Sequence, residues 1–278
     1  MKNTAVSRKI AYVPLLKFTC GCAILLRRGS DILGKIVAIG GGDVGRHGTS
    51  YETGAIDREI VRLSGRERPH FLFIGIAKRN ADGYFSTMRD IYGGMYGCET
   101  DILTAAEHED PDVASAKIGW ADIIYVGGGN TLRLMNKWRA CGTDALLRRA
   151  YEDGKVLCGV SAGGICWCDY GNSDSRTYRA GAKCIKVRGL GLLPVLFCPH
   201  IATQERRAAD LQRMMKRTYG IPAVAIDRAA LEVTDGMYRI IPIDGSAVAL
   251  KCFWLGGEYV CEDIMCDEPR PLDSILCK

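Results

Sequence analysis

From residue 35 onward the chain alternates short apolar runs with longer stretches whose apolar positions recur every three or four residues. The runs at 35–40, 70–76, 121–126 and 155–160 have the length and composition of strands buried on both faces, and 99–103 reads as a further strand. Between them, 53–63 puts Ile56, Ile60 and Leu63 on one helical face, and 81–96, 112–118, 132–138 and 143–153 read as helices. Such alternation through short connections predicts a mostly parallel sheet covered by helices on both faces, in one α/β domain spanning 35–278. A strand at 193–200 and a helix at 204–219 follow. Strand-like runs at 223–227, 230–234, 238–243 and 247–254, with Asp-Gly turns at 235–236 and 244–245, then predict hairpins that extend or edge the sheet.

Composition narrows the picture. At 278 residues, 47% hydrophobic and 25% charged, the chain is an ordinary globular sequence with ample material for a core. The net charge of +5 is scattered, with no Lys/Arg run and no interleaved aromatics, which argues against a nucleic-acid partner. None of the 13 cysteines forms a C-x-x-C pair, so they read as small buried hydrophobes in a reducing, cytoplasmic setting. Neither a disulfide frame nor a metal site is expected, and no cofactor is called for. Residues 1–34 differ: the apolar stretch 10–26 follows Lys2, Arg8 and Lys9, the outline of a signal peptide. Pro14 and Lys17 interrupt it and Arg27-Arg28 succeeds it without a cleavage site, so it reads as an extension outside the core, with no membrane partner.

The chemistry concentrates at Gly159-Val160-Ser161-Ala162-Gly163, where a buried strand breaks into a helix. Flanking glycines let the backbone turn sharply enough to hold a serine hydroxyl proud of the sheet, a nucleophile elbow. The Ala162 N–H would point into the same space, favouring negative charge there. Two other glycine loops, 40–45 and 127–131, fall on the same rim, where ligands of such sheets bind. The 127–129 glycines could add a second N–H to an oxyanion hole, or simply permit tight turns. Gly40-Gly41-Gly42-Asp43-Val44-Gly45 fits G-x-G-x-x-G, but no acidic residue ends the next strand and no helix opens on the last glycine, so a nucleotide site has weak support. Of the four histidines, His47 lies in the first loop, His70 opens a strand at the far end and His108 sits among glutamates in a solvated loop. His200 alone closes a strand on the rim of Ser161, and a serine needs such a base. Arg206 and Arg207, on an otherwise solvated helical face, are near enough to His200 to reach a substrate carboxylate.

Gly127-Gly128-Gly129-Asn130-Thr131, the serine elbow and Cys198-Pro199-His200, in that order, resemble the peptidase E (aspartyl dipeptidase) and cyanophycinase family of serine peptidases. The resemblance spans about 35–260. It implies a three-layer flavodoxin-like fold related to class I glutamine amidotransferases. Ser161 would be nucleophile and His200 base, with the oxyanion hole at Gly128 and Ala162. Gly129, Asn130 and Arg206 are the candidate substrate contacts. The third triad member would be an acid between Ser and His; Asp174 fits best, with Asp169 a rival and Glu205 a remote third. The expected partner is a small peptide, with an N-terminal aspartate as the family's preference, and a homodimer is a candidate assembly. The rival readings are a non-catalytic protein binding an anionic ligand such as a nucleotide, and an amidase or isoaspartyl hydrolase on acidic peptides or polymers.

Overall fold

The computed structural model describes residues 34–77, 81–177 and 182–276. The expected extension at 1–34, but for Gly34, lies outside them. The elements run β1 (Lys35–Ile39), α1 (Gly54–Ser64), β2 (His70–Ile74), α2 (Ala81–Arg89), β3 (Glu99–Leu103), α3 (Pro111–Trp120), β4 (Ile123–Val126), α4 (Thr131–Cys141), α5 (Thr143–Glu152) and β5 (Val156–Val160). Then come α6 (Ala162–Ile165), β6 (Cys168–Ser173), β7 (Ile185–Arg188), β8 (Leu193–Pro199), α7 (Arg206–Met215), β9 (Ala223–Asp227), β10 (Ala229–Thr234) and β11 (Met237–Pro242). The chain closes with β12 (Val248–Leu255), β13 (Glu258–Asp263), β14 (Arg270–Pro271) and α8 (Asp273–Leu276).

The elements form two sheets where the sequence pattern predicts one. The larger has the order β14-β11-β10-β1-β5-β4-β2-β3. Its central strands β1, β5, β4 and β2 and the outer β3 are parallel, whereas β10 joins β1 antiparallel. The smaller has the order β13-β12-β9-β8-β6-β7, with β8 parallel to both β6 and β9. The second sheet was hard to foresee because β6 (CDYGNS) and β7 (IKVR) are short and polar. The hairpins divide accordingly: β10 and β11 extend the first sheet, while β12 and β13 edge the second.

Period-two alternation along the central strands supplies two cores. Ile36, Ala38, Leu72, Ile74, Ile124, Val126 and Leu157 face one way, toward α3, α4, α5 and the second sheet, with Trp138 and Trp167 fully buried between. Val37, Ile39, Phe71, Phe73, Ile123, Tyr125 and Cys158 face the other way, against α1 and α2. Full burial of each such side chain is worth about 1.5–3 kcal/mol. The outer face of the second sheet is covered by Leu211, Met214 and Met215 of α7. Helix ends are set locally: Asp110 Oδ1 accepts from the N–H groups of Asp112 and Val113 ahead of Pro111, and Gly142 at φ 73° separates α4 from α5.

Candidate active site

The C-terminal end of β1 organises the site. The Ile39 carbonyl accepts the Ser161 N–H at 2.9 Å, and the next carbonyl, Gly40, accepts the His200 N–H at 2.8 Å. Two residues on different sheets are thereby fixed to consecutive peptide units. Ser161 follows β5 with φ 57° and ψ −106°, and His200 follows β8 with φ 58°. A non-glycine residue in such a conformation costs about 1–3 kcal/mol and persists only where its surroundings hold it. The glycines of the elbow are required by β4 beside it. A Cβ on Gly159, whose φ is 155°, would stand 2.3 Å from the Val126 carbonyl oxygen, and one on Gly163 would stand 1.9 Å from the same atom.

Ser161 and His200 line one cleft of about 380 Å³, together with Gly128, Gly129, Tyr84 and charged groups from three loops. A Cβ on Gly128 would lie 3.6 Å from the Ser161 Cβ, so the loop after β4 runs directly past the serine. Ala162 opens α6, and a first-turn N–H has no intrahelical acceptor. Among the described residues no hydrogen bond joins the His200 ring to the Ser161 hydroxyl. Such contacts commonly tighten only when substrate binds. Burial, and then the nearby Arg207 guanidinium, lower the His200 pKa from its ordinary 6.5, with Asp227 and Asp174 pulling it back up. The neutral imidazole, the form that accepts a proton, is therefore favoured.

Strand register puts an acid on each side of His200. Pro199 pairs with Ile226, so one residue on His200 stands level with Asp227; Gly171 pairs with Phe197, so counting on along β6 brings Asp174 level from the other side. The two differ in what they hold. Asp174 is partly exposed and makes an ion pair with the buried Arg207 at 3.3 Å. Asp227 is buried and its Oδ2 accepts from the Ala202 and Thr203 N–H groups and the Thr203 hydroxyl at 2.8–3.0 Å, tying down the loop after His200. Its Oδ1 and the His200 Nδ1 lie 2.4 and 3.2 Å from the point where a Cβ on Gly41 would sit. Asp227 is not among the acids weighed from the sequence, which reach only to Glu205, five residues past the histidine. The signal was present in the strand ending in Asp227, the same feature that singled out His200.

The other candidates spread out. Asp169, at the start of β6, is at the far end of that strand from His200 and faces Gly191. Glu205 precedes α7 and does not line the cleft. Gly129 lines it, with φ 150°. Asn130 spends its side chain on structure: Oδ1 caps α4 through the Arg133 N–H at 2.9 Å and Nδ2 donates to the Ser175 carbonyl at 3.0 Å. Arg206 is outside the cleft and donates to the Thr177 hydroxyl at 3.4 Å. Two expectations are corrected. Arg207 is not on a solvated face but 1% exposed, donating to Gln204 and to the Asn172 carbonyl. His108 is fully buried, its Nδ1 2.7 Å from the Thr104 carbonyl oxygen. The first glycine loop and the residue after it instead supply Asp43 and Arg46, which, like Glu52 and Arg228, no motif singles out. Among the described residues no group of three His, Cys, Asp or Glu side chains could hold a metal ion, and no helix is long and apolar enough to cross a membrane.

The fold of two mostly parallel sheets flanked by helices is shared with solved peptidase structures. The crystal structure of a peptidase from an acI-B1 Actinobacterium matches with a TM-score of 0.64 at 15% identity, covering 87% of this chain and 98% of that one. In sequence, residues 36–241 match peptidase family S51. The peptidase YgaJ of Bacillus subtilis, itself uncharacterized, is 31% identical over 221 residues, 78% of this chain and 91% of that protein. Peptidase E of Shewanella denitrificans is 33% identical over 107 residues, 38% of this chain and 43% of its own length. The chain belongs to peptidase family S51 and is a serine-type peptidase.

Proposed function

We propose that this peptidase hydrolyses short peptides through an acyl-enzyme, with Ser161 as nucleophile, His200 as base and Asp227 as the acid that orients the imidazole. The observation that carries the reading is the pair of consecutive carbonyls, Ile39 and Gly40, that anchor the two backbone N–H groups and open both side chains into one cleft.

In this reading Ser161 Oγ attacks the scissile carbonyl carbon while its proton passes to the His200 imidazole. The carbonyl π pair moves to oxygen, and the oxyanion lies against the Gly128 and Ala162 N–H groups. Collapse expels the leaving amine, which takes the proton from His200 and leaves an ester on Ser161. Water, deprotonated by His200, repeats the sequence and frees the serine. Asp227 carries the imidazolium formed in each half, and its bonds to Ala202 and Thr203 hold the His200 loop still. Asp174, the acid expected from the order of the chain, is level with the imidazole but committed to Arg207. Its part is to balance that buried guanidinium beside His200.

Peptides with an N-terminal aspartate are the first substrates to try, with β-aspartyl and neutral dipeptides beside them. Turnover of at least one, lost in Ser161→Ala at unchanged melting temperature, is expected. Undiminished turnover by purified Ser161→Ala would overturn the reading.

A further inference from the structure

The cysteines outside the cleft are not all equivalent. Leu255 of β12 pairs with Glu258 of β13, which leaves Gly256-Gly257 as a two-residue loop with φ 59° and 91°. Positive φ at both loop positions is what the tight hairpin turn requires, and glycine takes it at no steric cost. In such a hairpin the pair flanking the loop exchanges main-chain hydrogen bonds, and bonded and non-bonded pairs alternate from there along the ladder. Cys252 faces Cys261 three steps from the pair of Leu255 and Glu258, so theirs is a non-bonded pair. In that kind of pair the Cα atoms approach to about 4.5 Å and the side chains stand closest. A disulfide takes Cα atoms about 4.4–6.8 Å apart, so the register meets its span without backbone movement. Among the described residues no other two cysteines face each other across a strand pair.

Side chains on the shared face do meet. Trp254 and Tyr259, the next non-bonded pair toward the turn, bring their rings to 5.4 Å, and Cys252 joins Met214 and Met215 of α7 in one buried cluster. Exposure divides the two thiols: Cys252 is 1% exposed, whereas Cys261 is open to solvent. The Cys252 thiol holds the Cys261 thiol below its ordinary pKa, and against partial burial the Tyr259 hydroxyl adds to that effect. Cys261 is thus the sulfur that a reagent in solution reaches, with Cys252 shielded beside it. β13 is the outermost strand of its sheet, paired on one side by β12. The pair is also apart from the cleft, since Cys252 is level with Ala223, roughly 13 Å along β9 from Asp227.

We infer that Cys252 and Cys261 are a modification site, a dithiol that a low-molecular-weight disulfide converts reversibly into a cross-strand disulfide clamping the free edge of the second sheet. The Cys261 thiolate attacks one sulfur of the small disulfide, whose S–S bond breaks and releases a first thiolate. The Cys252 sulfur, giving up its proton, then attacks the Cys261 sulfur of the mixed disulfide and releases a second. The protein loses two electrons and two protons, and the small disulfide takes up both as two thiols. No step of the peptidase chemistry enters.

The test uses the full chain, reduced and then equilibrated in the folded state with mixtures of glutathione and glutathione disulfide. After acid quenching and alkylation it is cut by a glutamyl endopeptidase, which cleaves at Glu258, between the two cysteines. Fragments joined through Cys252 and Cys261 should appear and should vanish with dithiothreitol. In Cys252→Ser the glutathione should stay on Cys261, and in Cys261→Ser the Cys252 thiol should remain free. Amide hydrogen exchange across 258–263 should slow by about tenfold or more in the oxidised wild type, because the bond closes a loop of about ten residues and holds the edge strand against fraying. Glutathione resting on Cys261 of the wild type without the internal bond, a bond from Cys261 to any other cysteine such as Cys266, or a bond that forms only in urea would overturn the pairing. An unchanged exchange rate in the bonded protein would overturn the clamp.

Discussion

Replacing Asp227 by Asn separates the two acids that flank His200. An amide oxygen in the Oδ2 position would keep the bonds from Ala202 and Thr203, at 2.8–3.0 Å. Its NH2 would then face the Arg228 N–H, which now donates to Oδ1 at 3.0 Å. Two opposed donors cost about 1–3 kcal/mol of stability. The larger effect is on rate, since the charge that stabilises the imidazolium is gone. For a unit charge about 5 Å away in an effective dielectric of about 20, that is about 3 kcal/mol, or roughly a 10²-fold loss in kcat/KM. Asp174→Asn leaves the buried Arg207 without its ion pair and should lower the melting temperature, but that carboxylate is committed to the guanidinium and not to the imidazole, so the loss in kcat/KM should stay under about tenfold. The assay is kcat/KM on the best peptide of the panel, with a melting curve on each variant. A near wild-type rate for Asp227→Asn beside a hundredfold loss for Asp174→Asn would refute the assignment and return the role to Asp174.

Other consequences follow from the same geometry. The His200 pKa is lowered, so the acid limb of kcat/KM should fall below pH 6.5; a limb centred above 7 would contradict a buried, neutral base. His108 is shifted the same way by burial, and both protonate more readily once unfolded. Stability should therefore be full above about pH 6.5 and decline as pH falls through the folded-state values, measurable as urea midpoints from pH 7.5 to 5. Gly163→Ala drives a methyl to 1.9 Å from the Val126 carbonyl oxygen and should cost about 3 kcal/mol or more, whereas Gly119→Ala, open on a helix, should gain about 0.5–1 kcal/mol. Equal melting temperatures for the two would be inconsistent with the close approach of β4 to the elbow. Asp57→Ala strips the buried hydroxyls of Thr53 and Tyr92 of an acceptor at 2.7 Å and should lower stability by about 3 kcal/mol, read by chemical denaturation.

The parallel half of the fold was legible because its strands are buried on both faces and therefore written as unbroken apolar runs, as in Ile123–Val126. The second sheet was not, since β6 ends its buried positions on Gly171, Asn172 and Ser173, where Asn172 and Ser173 bond to Arg207 and Thr131 far along the chain and leave no apolar pattern in the local sequence. Ser161 stood out because glycines must flank a turn pressed against a neighbouring strand, and His200 because it closes an apolar run. Asp227 closes one too, but its relevance depends on β8 and β9 being neighbours, which no local signal announces. Asn130 reads equally well as a substrate contact or a helix cap, and only the Arg133 N–H distinguishes them. Arg46 was indistinguishable from any surface arginine until its stacking on Tyr84, 38 positions on in the chain, was visible.

Whether Ser161 is chemically activated can be read without knowing the substrate. A fluorophosphonate probe, followed by peptide mass spectrometry, should modify Ser161 and no other serine, at a rate that falls by at least about 10²-fold in His200→Ala. Modification of Ser161 at the same slow rate in both proteins, or none at all in the folded wild type, would mean that the elbow holds an ordinary hydroxyl.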